Sequence, residues 1–375
     1  MKRVVLGMSG GVDSSVSAGL LKEQGYEVVG LFMKNWDEEN ADGICTAAED
    51  ALDARLVADA LQIPFYTVNF EKEYLDRVFS YFLREYQRGR TPNPDILCNR
   101  EIKFNAFLHY ALQLEADYIA MGHYADQRTR DGRTELLRGA DTSKDQSYFL
   151  CRIKEEALSR CLFPIGSMQK EEVRAWAKEH KLVTANKKDS TGICFIGERD
   201  FNAFLDQHLE TRPGEIHDEK GAVVGYHTGL MHYTLGQRKG MGIGGVGSGE
   251  PWFVSGKNTQ NNVLYAVQGE AHPALFSRGL YAREMVWIGE EKETVFTCTA
   301  KVRYRQEDVP AVVTQMGHGE IRVDFPDTVR AATPGQTIAL YDKERCLGGA
   351  VIDRLVPVDA HYAYMNPVFE ANPAL

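Results

Sequence analysis

The sequence is poor in the features that mark a secreted, membrane-spanning or zinc-stabilised protein. Its seven cysteines are scattered over 375 residues, with no Cys-x-x-Cys pair and no Cys/His cluster at ligand spacing. That distribution argues against both a disulfide framework and a structural zinc, and no metal site is expected. His227 and His232 stand five apart, the wrong interval for two ligands on one helical face. No run approaches the roughly 18 apolar residues that span a bilayer. The start, MKRVVLGMSGGVDSS, lacks the longer apolar stretch and small-residue cleavage site of a secretory signal. A cytoplasmic protein without membrane attachment is expected. Positive charge is also scarce: the net charge is −10, whereas a phosphate backbone wants cations. The average does not settle the partner, because Lys301-Val302-Arg303-Tyr304-Arg305 and Gln237-Arg238-Lys239 form local basic clusters.

What is present is enough chain for two or three domains, 43% hydrophobic and 26% charged, as in a soluble globular protein. The first half alternates strand-like and helix-like segments. Strands are predicted at 3–8, 27–33, 63–70 and 117–122, and helices at 14–24, 46–61, 71–88 and 100–114. Such alternation implies α/β architecture, a doubly wound and mostly parallel sheet covered on both faces. A helix near 200–209 leads into a Gly-rich stretch at 210–275. Short strands then recur at 294–304, 310–316, 320–325, 336–341 and 346–355, the spacing of a small C-terminal β-barrel. The expected division is 1–205 for the sheet domain, 206–278 for a small central domain and 279–375 for the barrel.

The most informative segment is Ser9-Gly10-Gly11-Val12-Asp13-Ser14-Ser15, between the first strand and the first helix. Glycines let backbone amides turn toward a ligand, the serine hydroxyls add donors, and the positive end of the helix dipole completes an anion cradle. It lies at the carboxyl end of a strand, where open α/β sheets bind ligands. It lacks the lysine of a Walker loop. The plainer alternative is an ordinary Gly/Ser turn with a capped helix. The segment resembles the SGGxDS loop of the PP-loop ATP pyrophosphatases, which split ATP between its α- and β-phosphates and use the AMP half to activate an oxygen. A second glycine cluster, Gly242-Ile243-Gly244-Gly245-Val246-Gly247, fits G-x-G-x-x-G by spacing. No clear strand precedes it and no helix follows, so it reads as a loop that orders against a large ligand.

Two cysteines stand in unusual company. Thr91-Pro92-Asn93-Pro94-Asp95-Ile96-Leu97-Cys98-Asn99-Arg100 is loop chemistry running into a helix. Cys98 is expected at or just before the helix start, where the dipole, Arg100 and Lys103 would favour a thiolate, with Asp95 available for proton transfer. Cys194 lies in Asp189-Ser190-Thr191-Gly192-Ile193-Cys194-Phe195-Ile196-Gly197, just after Lys187 and Lys188. Cys151, Cys298 and Cys346 read as core residues, and Cys45 and Cys161 are not assigned.

Taken together, SGGVDSS, TPNPDILCNREIKF, MGHYA, KDQSYFL, DSTGICFIGERDF and YTLGQRKGMGIGG resemble the bacterial tRNA-specific 2-thiouridylases, from the first strand to the barrel. The resemblance implies ATP-dependent 2-thiolation of the wobble uridine in tRNA. It implies ATP as substrate with Mg2+, an adenylated uridine, and a transient persulfide on Cys194 resolved by Cys98. Gly7, Met8, Ser9, Gly10, Gly11, Val12, Asp13 and Ser14 would hold the phosphates, and Met33 and Gly122 the nucleoside. Asn93, Pro94 and Asp95 would cradle the target base. His123, Lys144, Asp145, Gln146, Tyr304, Arg305 and Gln336 would touch the RNA. The implied partners are tRNAs for Lys, Glu and Gln and a sulfur-relay protein fed by a cysteine desulfurase, with the enzyme a monomer. Two other readings stay open at this point. One is a superfamily ligase or amidotransferase in which ammonia attacks an adenylate; the other is a non-catalytic ATP-sensing or RNA-binding protein.

Overall fold

The computed structural model describes residues 1–36, 46–189, 200–244, 247–290 and 292–365. Cys194, Cys45 and the middle of the second glycine cluster lie outside the described residues. Three sheets organise the chain. The first is built from β1 (Arg3–Gly7), β2 (Glu27–Lys34), β3 (Phe65–Asn69) and β4 (Tyr118–Met121). After a hairpin of β5 (Ala125–Arg130) and β6 (Arg133–Arg138), it gains β7 (Cys161–Leu162). Its order is β3-β2-β1-β4-β7 and every pairing is parallel. β1 reads Arg-Val-Val-Leu-Gly because it is the central strand, buried on both faces. Val5 enters the core on one face, with Phe82, Ile102 and Phe107; Val4 and Leu6 enter the other, with Val16, Ala54 and Val173. The sheet is therefore doubly wound, as the alternation predicts.

The helix at Thr46–Leu61 matches its predicted bounds, and the first helix spans Val12–Glu23. The Gly-rich middle, unassigned from the sequence, contains a small sheet of β8 (Gly214–His217), β9 (Val223–His227), β10 (Trp252–Asn258) and β11 (Val263–Gln268), ordered β10-β11-β8-β9. The C-terminal strands are β12 (Phe276–Trp287), β13 (Val295–Lys301), β14 (Val309–Gly317), β15 (Glu320–Arg330), β16 (Thr337–Asp342) and β17 (Arg345–Pro357). They run in the order β12-β15-β14-β13-β16-β17, and β12 pairs with β17 to close a six-stranded antiparallel barrel. Its interior is filled by Leu280, Val313, Val323, Ile338, Leu340 and Ile352. One connection was not legible in the pattern: β6 pairs with β17, so the hairpin from the first half extends the barrel sheet. No helix among the described residues is long and apolar enough to cross a membrane.

Candidate active site

The glycine-serine turn sits at the carboxyl end of the central strand. Gly10 has φ +75, and a Cβ there would fall 2.2 Å from the Asp50 carbonyl oxygen, so no side chain fits. Gly11 is the N-cap of the first helix and supplies no side-chain cap. The hydroxyls organise the turn from within. Ser14 Oγ donates to Gly11 O at 3.1 Å, Ser15 Oγ to the same carbonyl at 2.8 Å, and Ser9 N donates to Ser14 Oγ at 3.2 Å. The first amides of the helix keep the anion-binding character of an uncapped N-terminus. The end of β4 closes in behind them: a Cβ on Gly122 would lie 2.8 Å from Ser14 N. Met33 and Met121 flank Gly7, within about a van der Waals contact of where its Cβ would be.

A charged cluster lines one side of this turn. Asp13, in the first turn of the helix, accepts from the Tyr124 hydroxyl at 2.9 Å and from Lys170 Nζ at 2.7 and 2.9 Å. Lys170 also reaches Asp189 at 2.9 Å, and Asp189 is paired with Lys144 at 2.9 Å and Arg174 at 2.8 Å. Burial opposes charge on Asp189, but hydrogen bonds from Lys170 and Lys144 outweigh it and hold its pKa at about 2. The hydrogen bond to Asp189 likewise raises the pKa of Lys144. Three cations thus face two carboxylates beside an anion cradle. Sequence reasoning missed Lys170, Arg174 and Tyr124 as site residues. Lys170 opens an amphipathic helix, Lys170–Glu179, closed at its start by a Gln169/Glu172 capping box. A lysine there looks solvent-facing, yet it is 6% exposed.

The cysteine segment departs from expectation in one respect. Asn93 Oδ1 accepts from Ile96 N at 3.3 Å and Pro94 takes the first helical position, so the helix begins four residues before Cys98. Cys98 ends that α-helical stretch, Pro94–Cys98, and the chain stays helical through a π-type segment, Asn99–Ala106, into Phe107–Gln113. It is not at or before the helix start, because Asn-Pro is the stronger capping signal. Arg100 faces Glu101 and Glu284, at 2.7 and 3.6 Å. Asp95 has its pKa raised by burial, with Lys103 pulling the other way. Lys103 Nζ lies 3.5 Å from His123 Nε2. His123 is buried beside Phe104 and Phe163; burial and the Lys103 charge push its pKa well down, leaving a neutral imidazole. Neighbouring residues therefore reach both halves of the site: Gly122 backs the glycine-serine turn, and His123 meets the helix that carries Cys98.

The residues expected to touch RNA divide into two kinds. Arg305 is exposed on the turn between β13 and β14. Tyr304 packs on Phe149, with ring centroids 4.4 Å apart. Asp145 is buried and accepts from Gly139 N, Ser147 N, Ser147 Oγ and Arg138. Gln146 Oε1 accepts from Tyr124 N at 2.9 Å, and Gln336 Nε2 donates to Thr91 O at 2.8 Å and Pro92 O at 3.2 Å. These last three side chains serve contacts within the protein. The other described cysteines look inert: burial pushes the thiols of Cys151 and Cys298 up to about 12, and those of Cys161 and Cys346 upward as well.

Comparison with known proteins gives a consistent picture. Residues 2–198 match the family described as tRNA methyl transferase HUP domain, 202–268 its PRC-barrel domain, and 277–352 the aminomethyltransferase beta-barrel domain. The chain is 58% identical over 363 residues to tRNA-specific 2-thiouridylase MnmA 1 of Geobacillus kaustophilus, covering 96% of this chain and 98% of that protein. It is 57% identical over 355 residues to tRNA-specific 2-thiouridylase MnmA of Alkaliphilus oremlandii, covering 94% and 98%. The Oceanobacillus iheyensis protein of the same name is 56% identical over 366 residues, covering 97% and 98%.

Proposed function

Given a chain that belongs to the tRNA-specific 2-thiouridylase family, and so is a sulfurtransferase forming 2-thiouridine in tRNA, we propose that it activates the wobble uridine with ATP and delivers sulfur as a cysteine persulfide. A uridine carbonyl at carbon-2 is a poor electrophile and its oxygen a poor leaving group. Attack of that oxygen on the α-phosphate of ATP expels pyrophosphate and makes AMP the leaving group. The turn 7–14 holds the phosphates, and Met33 and Gly122 border the nucleoside. Mg2+ arrives with ATP and is held by phosphate oxygens and water, offsetting phosphate charge. Lys170, Lys144 and Arg174 supply positive charge where pyrophosphate separates.

Asn93, Pro94 and Asp95 cradle an extruded base, since a stacked uridine cannot present carbon-2 to both nucleotide and thiol. The terminal sulfur of a Cys194 persulfide bonds to carbon-2 and AMP leaves with the C–O electrons. The Cys98 thiolate then attacks Sγ of Cys194. The S–S bond breaks toward the nucleobase, leaving the thiocarbonyl and a Cys98–Cys194 disulfide that a dithiol reductant must reopen. The two Cα atoms must approach to within about 7 Å for that step. Asp95, its pKa raised by burial, takes the N3 proton as the carbonyl oxygen is adenylated and returns it to the thiolated base. In this reading 1–205 is the catalytic unit, 206–278 a central RNA-contact unit and 279–375 the barrel that grips the anticodon arm. The substrates are tRNAs for Lys, Glu and Gln, and the sulfur comes from a relay protein fed by a cysteine desulfurase, with the enzyme a monomer in the cytoplasm.

The observation that carries the reading is the convergence of turn and cysteine helix on Gly122 and His123. The test is RNA-dependent release of AMP and pyrophosphate together with mass spectrometry of tRNA nucleosides, with a sulfur donor present and absent. Cys98→Ser and Cys194→Ser should each abolish thiolation while leaving ATP binding intact. Full 2-thiouridine formation by either variant would refute the two-cysteine scheme.

A further inference from the structure

The segment that leads into the Cys98 helix cannot hold its own shape. Pro92 and Pro94 have no amide hydrogen, so 91–94 offers few donors for an internal turn. Its shape is imposed by the barrel. Thr91 N donates to Pro334 O at 2.9 Å. Gln336 Nε2 donates to this segment twice, to Thr91 O and to Pro92 O. Gly335, at φ +92, packs so closely that a Cβ would lie 2.9 Å from the Thr91 backbone. One residue earlier, buried Arg90 binds Glu85 at 2.7 Å, Asp353 at 2.8 Å and Ile352 O at 2.8 Å. The same barrel turn is tied toward the basic tip, because Arg303 donates to Thr333 Oγ1 at 2.7 Å and to Leu235 O at 2.8 Å.

We infer that Gln336, on the barrel turn 333–336, is a positioning residue that sets the 91–93 segment and through it Asn93, Asp95 and Cys98. The barrel then does more than grip RNA: its turn forms one wall of the mould in which the base-cradling segment is cast. The inference rests on the catalytic reading of that segment given above. Gln336→Leu removes both donors at nearly constant volume. Three quantities are read: hydrogen exchange of residues 91–98 without RNA or ATP, tRNA affinity, and single-turnover 2-thiouridine formation at saturating tRNA.

Exchange should quicken and the single-turnover rate fall about tenfold or more, because small misplacements of reacting groups are costly, with affinity for tRNA unchanged. Gly335→Ala, which pushes on Thr91 from the same side, should give the same split, and it replaces Gln336→Leu if that variant does not fold. Weakened tRNA binding with a normal rate at saturation would make Gln336 an RNA contact and overturn the inference. Unaltered exchange and rate would overturn it too. Failure of the catalytic reading shows separately, as a parent protein that makes no 2-thiouridine.

Discussion

Lys170, beside the glycine-serine turn, and Lys257, on β10 of the small middle sheet, are buried to about the same degree, at 6% and 5% exposure. Their surroundings differ completely. Lys170 binds two carboxylates, Asp13 and Asp189. Among the described residues, Lys257 Nζ has no hydrogen-bond partner, and neither does Nδ1 of nearby His227. Burial alone pushes the Lys257 ammonium down to about 7. Burial therefore does not mark a working cation; paired carboxylates next to an anion cradle do. The first lysine is paired with two carboxylates beside the glycine-serine turn, and the second sits in the small middle sheet, where burial favours its neutral form.

The largest effect is expected from Lys170→Ala, a loss of about a hundredfold or more in RNA-dependent AMP release, the scale of removing one charge-stabilising donor. Lys257→Met should leave that rate unchanged. Comparable losses in both variants would erase the distinction.

Next in size is stability against pH. The Lys257 amine has a folded value near 7 and an unfolded value near 10.5. Between those limits the unfolded chain binds a proton that the folded chain does not. Stability should therefore rise with pH across that window, fall as pH drops toward 7, and level off below it. Its neighbour His227 has its pKa lowered by burial, below this window, and His227 Nε2 is occupied by Asn262 O. Thermal unfolding of Lys257→Met should lose most of this slope and show a higher melting temperature at pH 7. A slope identical to the parent's would place its origin elsewhere.

Arg305 extends the comparison to a cation left in water, exposed and without an ion pair among the described residues. Arg305→Ala should weaken tRNA binding a few-fold and lower the salt slope by about one, with ATP affinity unchanged, as titrations at several salt concentrations can report. Loss of ATP affinity instead would contradict the assignment.

Much of this could be read from the residues. The alternation of elements gave the parallel sheet, and the strand–glycine–serine–helix sequence located the turn, because both signals are local. Residues 91–98 were identified as special, but the helix start was placed at or just after Cys98; Asn93 and Pro94 carry the cap and were read as loop chemistry. The middle sheet escaped because its strands are short and separated by turns with left-handed glycines, among them Gly221, Gly236 and Gly240, which leave little uninterrupted alternation to read. Lys170 escaped for another reason. Its partner Asp13 is 157 residues away, and nothing within an amphipathic helix says which exposed-looking lysine will be covered. Gln336 likewise acquires its role only when the barrel meets residues 91 and 92, 245 and 244 positions distant.

The β5–β6 hairpin belongs by sequence to the first half and by hydrogen bonding to the barrel, where Leu136 and Leu137 face Cys346 and Arg345 across the ladder. Cutting the chain after the nucleotide-handling half would therefore not yield a tidy fragment. It would strip β6 of its neighbour and bare a strand rim with apolar Leu136, the sort of edge that recruits other chains. The two halves are better regarded as woven cloth than as beads on a string: neither can be studied by scissors alone.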